Sequence, residues 1–330
     1  PAATAIARGL STASPVIGTQ LAARSAALAQ YARPRLGEFD LAVSTTNELA
    51  LPIPSVQYVH VPQFHRRAIS DVEGGRLNGL WSALAAPSRR DSGSDASASP
   101  RRYSESAAST TDGGRRDRAE TVLLANSTWT ADRVAAIYCR RPDVLYPPVD
   151  PIPGEPWEQR EEGVVFVGRL APDKRVLAAI DIVDRVRDRG LDLHVHVVGS
   201  APRAYRHYAD RVAAAAAERP FVQLERDAPR DRLEELLGSH RFGLTAKPHE
   251  HFGMSLAEYV AAGMVAFAPD SGGQRDVLNH QQDRLYDSPE EAATLLSRAV
   301  NNAETPRQEP FRFASDRLRT AVRRHAKTLL

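Results

Sequence analysis

From Gly163 onward, short apolar runs alternate with stretches in which apolar positions recur every three or four residues. Val164-Val165-Phe166-Val167 is continuous and ends at Gly168, the pattern of a strand buried on both faces of a parallel sheet. Val176, Leu177, Ile180, Val183 and Val186 then keep helical spacing across Val176 to Arg189, and Gly190 supplies the stop. The alternation goes on: a strand over Leu191 to Val198, a helix over Arg203 to Glu218, a strand over Phe221 to Leu224 and a helix over Arg230 to Leu237. A strand over Arg241 to Thr245, a helix over Met254 to Ala262 and a strand over Met264 to Ala268 complete the series. Strands and helices at this pitch predict a parallel sheet covered on both faces, a Rossmann-like α/β domain.

The first half is less regular. Asp40 to Ser44, Ser55 to His60 and Val122 to Ala125 read as buried strands. Asn126-Ser127-Thr128 caps a helix predicted to run to Tyr138, with Trp129 and Val134 on its inner side. Pro1 to Arg33 is alanine-rich and reads as helical from Ser14. Ser88 to Arg118 is rich in serine, arginine, aspartate and glycine and nearly lacks apolar residues. Burial cannot offset its ordering entropy, so disorder is expected there. Prolines 147, 148, 151, 153 and 156 mark a hinge, which divides the chain into expected domains at 1–150 and 151–330.

Composition narrows the function classes. A chain of 330 residues with 42% hydrophobic and 25% charged residues supports two ordinary cores. The net charge of +2 sets up no global field for nucleic acid. The longest apolar run, Tyr259 to Pro269, is about half of what a bilayer requires, and the start shows no signal peptide. The single cysteine, Cys139, forms no internal disulfide, fits a reducing compartment and is expected to be a small buried hydrophobe. A cytoplasmic protein is the expectation.

Three loops carry the chemistry. Lys247-Pro248-His249-Glu250-His251-Phe252-Gly253-Met254-Ser255 lies where a strand ends and a helix begins, the edge at which α/β sheets bind ligands. The N–H groups of Gly253, Met254 and Ser255 open that helix and suit a phosphate, which Gly253 lets approach closely. Glu258 lies about one and a half turns further in. Read alone, the segment is equally an ordinary helix start with acidic residues favoured by the dipole. Gly168-Arg169-Leu170-Ala171-Pro172-Asp173-Lys174 also follows a strand, and its Arg169 and Lys174 supply the two cations that a diphosphate needs; alone it would be a solvated basic loop. Asp270-Ser271-Gly272-Gly273-Gln274 by itself is a turn. His249-Glu250-His251 lacks the i,i+4 spacing of a zinc helix, so no metal is expected there.

Together, in this order, the three loops resemble those of the retaining GT-B glycosyltransferases of family four. Glu250 and Glu258 match that family's pair of glutamates separated by seven residues, with Phe252 and Gly253 between them; Gly168 to Lys174 matches its Gly-Arg-Leu-x-x-x-Lys loop. The resemblance implies two Rossmann-like domains facing a cleft and a nucleoside diphosphate sugar as donor, with no further cofactor. Arg169 and Lys174 would bind the diphosphate, Glu258 the ribose and Glu250 the transferred sugar. The amides after Phe252 would hold phosphate or sugar oxygens, and His60 is the best match for a first-domain histidine that reaches the sugar. His60 also fits a loop histidine with a backbone partner. The absence of an Asp-x-Asp motif matches the family's metal-independent donor binding.

Tyr58 to Pro62, Asn126 to Thr130, Tyr146 to Asp150, and Glu250 to Gly253 with Ser271 to Gly273 resemble, more narrowly, the dolichol-linked α-1,2-mannosyltransferase branch. That likeness implies a glycan or lipid-linked acceptor and peripheral work at a membrane face. The terminal helix, with Phe311, Leu318, Val322 and Leu329 on one face and Arg317, Arg319, Arg323, Arg324 and Lys327 largely on the others, reads as docking its apolar stripe on the first domain with a solvated basic face, or as also laying that face against anionic lipid. Two departures stand against the family pattern. Nothing before Asp40 reads as its opening strand and glycine-rich loop, so the N-terminal domain is expected to be incomplete; Arg226 stands where many relatives carry glycine. These leave open a non-catalytic relative that binds nucleotide sugar, and, further off, a GT-B-fold epimerase or a phosphorylase in which Lys247 would carry pyridoxal.

Overall fold

The computed structural model describes residues 21–49, 51–62, 120–307 and 310–330. The chain divides into two compact units, one formed by Pro1–Tyr146 with Arg319–Leu330 and the other by Pro147–Leu318. The expected disorder over Ser88 to Arg118 lies outside the described residues, as does the part of the N-terminal helix before Leu21.

The first unit contains helix α1 (Leu21–Leu36) and strands β1 (Ala42–Ser44), β2 (Ser55–Val59) and β3 (Thr121–Ala125), then helix α2 (Thr128–Tyr138) and the short strand β4 (Asp143–Val144). The strands form a parallel sheet in the order β1-β2-β3-β4, with Val59 opposite Ala125 where β2 and β3 end. Strand β2 is buried along its whole length, its polar Gln57 satisfied by donating to Ser55 Oγ at 2.9 Å. Ser127 caps α2 by accepting from the Thr130 N–H at 3.1 Å. Cys139, expected in the core, is exposed. It closes α2 in the left-handed conformation at φ 54°, a position that carries the side chain past the helix end.

The second unit is a fuller α/β sheet. Its elements are β5 (Glu161–Val167), α3 (Val176–Arg187), β6 (His194–Gly199), α4 (Arg206–Ala217), β7 (Val222–Arg226), α5 (Arg230–Ser239) and β8 (His240–Leu244). Then come α6 (Met254–Ala261), β9 (Val265–Pro269), α7 (Gln274–Val277), β10 (Leu285–Tyr286) and α8 (Pro289–Asn301), and α9 (Ser315–Lys327) returns the chain to the first unit. All pairings are parallel, in the order β10-β9-β8-β5-β6-β7. Val164 and Phe166 of β5 and Val195 and Val197 of β6 join α3, α4 and α8 in one continuous core. Their alternate neighbours turn to the opposite face, where α5 and α6 lie against β5 and β8. Helix α8 was not marked by the apolar pattern, yet Ser288 caps it by accepting from the Glu291 N–H at 3.2 Å.

The chain winds outward from β5 through β6 to β7 and then returns to place β8 on the other side of β5. That reversal opens a crevice beyond the carboxyl ends of β5 and β8, the usual ligand position of such sheets. Their ladder ends at the pair Val165–Gly243. Past it, the fully buried Tyr259 of α6 spans the gap: its hydroxyl accepts from the Val167 N–H at 2.7 Å and donates to the Leu244 carbonyl at 3.3 Å. Two backbone groups that the splayed strands cannot pair are thereby satisfied. Tyr259→Phe leaves both unpaired in a dry interior and is expected to cost about 1–3 kcal/mol in urea unfolding of the chain. An unchanged midpoint and slope would show that the hydroxyl bears no load.

Candidate active site

The loop after β5 and the loop after β8 face each other across this crevice. Residues Pro172–Lys174 form a single turn of 3₁₀ helix closed by Arg175 at φ 53°, which brings the Lys174 side chain back over the strand end. There Lys174 Nζ pairs with Glu250 Oε1, while Lys247 Nζ reaches Glu250 Oε2 at 3.4 Å and Asp173 Oδ2 at 3.3 Å. Arg169, half exposed, pairs with the same Asp173 oxygen at 3.3 Å. Three cations and two carboxylates thus form one chain of contacts, with one positive charge in excess. Burial pushes the Glu250 carboxyl up, and the Lys174 and Lys247 ammonium groups beside it outweigh that and hold it below the ordinary carboxylate range. Glu250 is therefore a fixed anion at neutral pH, suited to accepting hydrogen bonds and unsuited to donating a proton.

Helix α6 starts at the same crevice. Gly253 sits at φ 106°, ψ 67°, a conformation open to glycine, and turns the chain sharply into the helix. The first helical bond runs from the Ala257 N–H to the Gly253 carbonyl, so the amides of Met254, Ser255 and Leu256 have no helical acceptor. Met254 is exposed and Ser255 half-buried. Phe252 turns its ring inward against Phe313, edge-on at 5.4 Å, so this side chain anchors the loop and leaves the backbone to face the site. Glu258, one turn into the helix, accepts from Arg230 Nη1 at 2.5 Å.

The third loop supports the second. Gly273 N–H donates to the Glu250 carbonyl at 2.8 Å, and Ser271 Oγ accepts from the His249 N–H at 3.0 Å. A Cβ on Gly273 would lie 2.2 Å from the His251 carbonyl oxygen, so the paired glycines permit two backbones to touch. Fully buried Gln274 accepts from Thr245 Oγ1 at 2.8 Å and donates to the Lys247 carbonyl at 3.1 Å, which locks the loop that bears Lys247 and Glu250.

The structure thus brings together Gly168, Arg169, Lys174, Glu250, Phe252, Gly253, Met254, Ser255 and Glu258 within the second unit. It adds contacts of Lys247, Asp173 and Gln274, members of the three loops to which no donor-site role falls by residue type alone, and of Arg230 in α5, which lies outside them. His60 belongs to the first unit. Asn47 Oδ1 accepts from the His60 and Val61 N–H groups at 2.6 and 2.9 Å, and the His60 Nε2–H donates to the Thr45 carbonyl at 3.0 Å. The ring stands edge-on to Tyr58 at 4.9 Å. That tautomer leaves Nδ1 as an acceptor.

A parallel sheet with a reversal crevice, paired basic loops and an open helix start belong to an α/β domain, and its fold is that of the GT-B glycosyltransferases. Residues 152–314 match the family model described as Glycosyl transferases group 1, so the second unit carries a domain of that family. The curated relatives bear out the narrower resemblance as well. The chain is 26% identical over 168 residues to GDP-Man:Man(3)GlcNAc(2)-PP-Dol alpha-1,2-mannosyltransferase of Candida glabrata, covering 46% of this chain and 33% of that protein. It is 25% identical over 205 residues to the Xenopus laevis protein of the same description, covering 54% of this chain and 41% of that one. The chain therefore spans well under half of these relatives' length. Among solved structures, Anabaena HepE with UDP and glucose aligns over 95% of this chain and 83% of its own at TM-score 0.62 and 17% identity. A glycosyltransferase from Rickettsia africae aligns over 94% and 81% at TM-score 0.62 and 11% identity.

Proposed function

We propose that the protein transfers a hexosyl group, mannosyl or glucosyl, from a nucleoside diphosphate sugar to an acceptor hydroxyl with retention of anomeric configuration. The carrying observation is the lysine-bracketed Glu250 at the start of α6. In this reading Arg169 and Lys174 bind the donor diphosphate together with the amides of Gly253 to Ser255, and Gly168 lets it lie close to β5. Glu258 takes the ribose hydroxyls. Glu250 accepts from hydroxyls of the transferred sugar, and His60 contributes from the first unit. As the bond between the anomeric carbon and phosphate oxygen breaks, Arg169, Lys174 and the α6 amides stabilise the departing charge. The acceptor oxygen attacks from the same face, and its proton passes to a phosphate oxygen. Because cationic side chains carry the diphosphate charge, the proposal needs no metal.

The test is single-turnover incubation with GDP- and UDP-hexoses, with glycan and lipid-linked acceptors supplied separately. Formation of an axial-configured product from an axial donor supports the reading. An inverted product refutes retention, and tight donor binding without transfer to any acceptor points to the non-catalytic alternative.

The curated relatives' names specify dolichol-linked acceptors, so the proposal extends to work at the cytoplasmic face of a membrane. Among the described residues no helix is long and apolar enough to cross one. Helix α9 instead exposes Arg317, Arg319, Arg323, Arg324 and Lys327 around a half-buried stripe of Leu318 and Val322. Each basic residue against anionic lipid contributes about 1 kcal/mol. Salt-sensitive sedimentation with anionic liposomes is expected, falling sharply when Arg319, Arg323 and Arg324 become glutamine. Undiminished sedimentation of that variant would remove the membrane role of α9.

A further inference from the structure

At the end of the sheet opposite the donor loops, three histidines converge. His194 and His196 are the first and third residues of β6, and His240 opens β8. Val195 and Val197 belong to the main core, so alternation turns His194 and His196 to the other face. Strand β5 runs between β6 and β8, and Gly163 pairs with His194 there. A Cβ on Gly163 would lie 2.3 Å from His194 Nε2 and 2.7 Å from His240 Cδ2. The missing side chain is what lets two histidines from non-adjacent strands meet over a third.

The geometry points to a site for one divalent transition-metal ion, zinc by ligand class, held by His194, His196 and His240 and completed by Glu161 at the start of β5. One nitrogen from each histidine lies within 4.8 Å of the others. His194 Nε2 and His240 Nε2 are 3.1 Å apart. Two nitrogens on a tetrahedral zinc with bonds of about 2.0–2.1 Å are separated by roughly 3.3–3.4 Å, so the His194–His240 pair opens by a few tenths of an ångström and the His196 ring swings in from within 4.8 Å to complete the set. Glu161 Oε2 is 3.5 Å from His194 Nε2 and 3.9 Å from His240 Nε2, in reach of a fourth position.

The outer partners are also those of a metal site. His240 Nδ1–H donates to the Leu236 carbonyl at 3.0 Å, which leaves Nε2 with its lone pair free for an ion. His196 Nδ1 bonds Glu225 at 2.8 Å, and Arg232 holds that carboxylate at 2.9 and 3.0 Å, so His196 also presents Nε2. A carboxylate or backbone carbonyl behind the ligating imidazole is the usual support. In the ion-free state the His194 Nε2–H donates to His240 Nε2; on binding, that proton moves to His194 Nδ1 through solvent, and all three rings ligate as neutral imidazoles. The ion would clasp the starts of β5, β6 and β8, away from the reacting centre.

The experiment uses the untagged chain freed of metal by chelator dialysis and titrated with Zn2+, Co2+ or Mg2+. Calorimetry should give one Zn2+ per chain, the thermal midpoint should rise with Zn2+ and not with Mg2+, and Co2+ should develop the intense visible bands of tetrahedral coordination. His194→Gln, at a half-exposed position that tolerates the change, and Glu225→Gln should each weaken Zn2+ binding by about 10–100-fold. His249→Gln with His251→Gln, in the donor loop, should leave it intact. Absence of Zn2+ binding to the parent chain would overturn the proposal. Binding retained in His194→Gln, or lost in the His249/His251 variant instead, would overturn it equally.

Discussion

Lys174→Ala is expected to weaken nucleoside diphosphate binding by roughly 10- to 150-fold while leaving the chain folded. Lys174 is partly buried at the mouth of the crevice, where its ammonium group faces Glu250, and it stands across from the open amides of α6. A charge-assisted contact to phosphate contributes about 1.5–3 kcal/mol, or roughly 10- to 150-fold in affinity. Lys247 stays beside Glu250 in the variant, so no carboxylate is stranded and the thermal midpoint should hardly move. Arg169→Ala should act in the same direction with a smaller effect, because its guanidinium is half exposed and screened by Asp173. Calorimetric titration with GDP and UDP reads both variants. Unchanged affinity in both would remove the diphosphate assignment.

Glu250→Gln should separate binding from turnover. The carboxylate neutralises two lysines that the diphosphate also needs, so its removal takes a like charge from the neighbourhood of the phosphate. Affinity for the bare nucleoside diphosphate is expected to rise by on the order of 1 kcal/mol, about fivefold. The same change replaces a charged acceptor for the sugar hydroxyls by a neutral one, and kcat should fall by about 10- to 100-fold. Nucleotide titration and single-turnover transfer measured side by side resolve the two. A parallel loss of both would mean that Glu250 only holds the loop together, and an unchanged kcat would remove it from contact with the sugar.

The second unit of the fold was legible because its strands are continuous apolar runs and its helices keep strict spacing, as in Val164 to Val167 and Val176 to Val186. Parallel strands end on one edge, so three loops that each follow a strand had to share that edge, and the site followed from their order. Helix α8 escaped because Ala292, Ala293 and Ala299 make up half of its buried positions; the Ser288 and Glu291 pair that caps it was the available signal. Cys139 misled because residue type suggested burial, whereas its place just beyond Tyr138 made it a helix terminus. Arg230 meets Glu258 through packing of separate elements, which spacing does not encode, whereas Lys247 lies only three residues before Glu250 in the same loop. The Gly272-Gly273 pair reads as a turn until the Glu250 backbone is seen against it. The three histidines required the register of β5 between β6 and β8; only the His194 and His196 pair, two apart on a strand, hinted at a shared face.

The account rests on a diphosphate lying between the β5 loop and the start of α6. The most direct measurement is a crystal structure of the chain with GDP or UDP bound. The terminal phosphate should contact Lys174 Nζ, the Arg169 guanidinium and at least one amide of Gly253 to Ser255, with the ribose at Glu258 and Arg230 displaced from it. A nucleotide seated elsewhere, or one whose phosphates touch neither loop, would contradict the account.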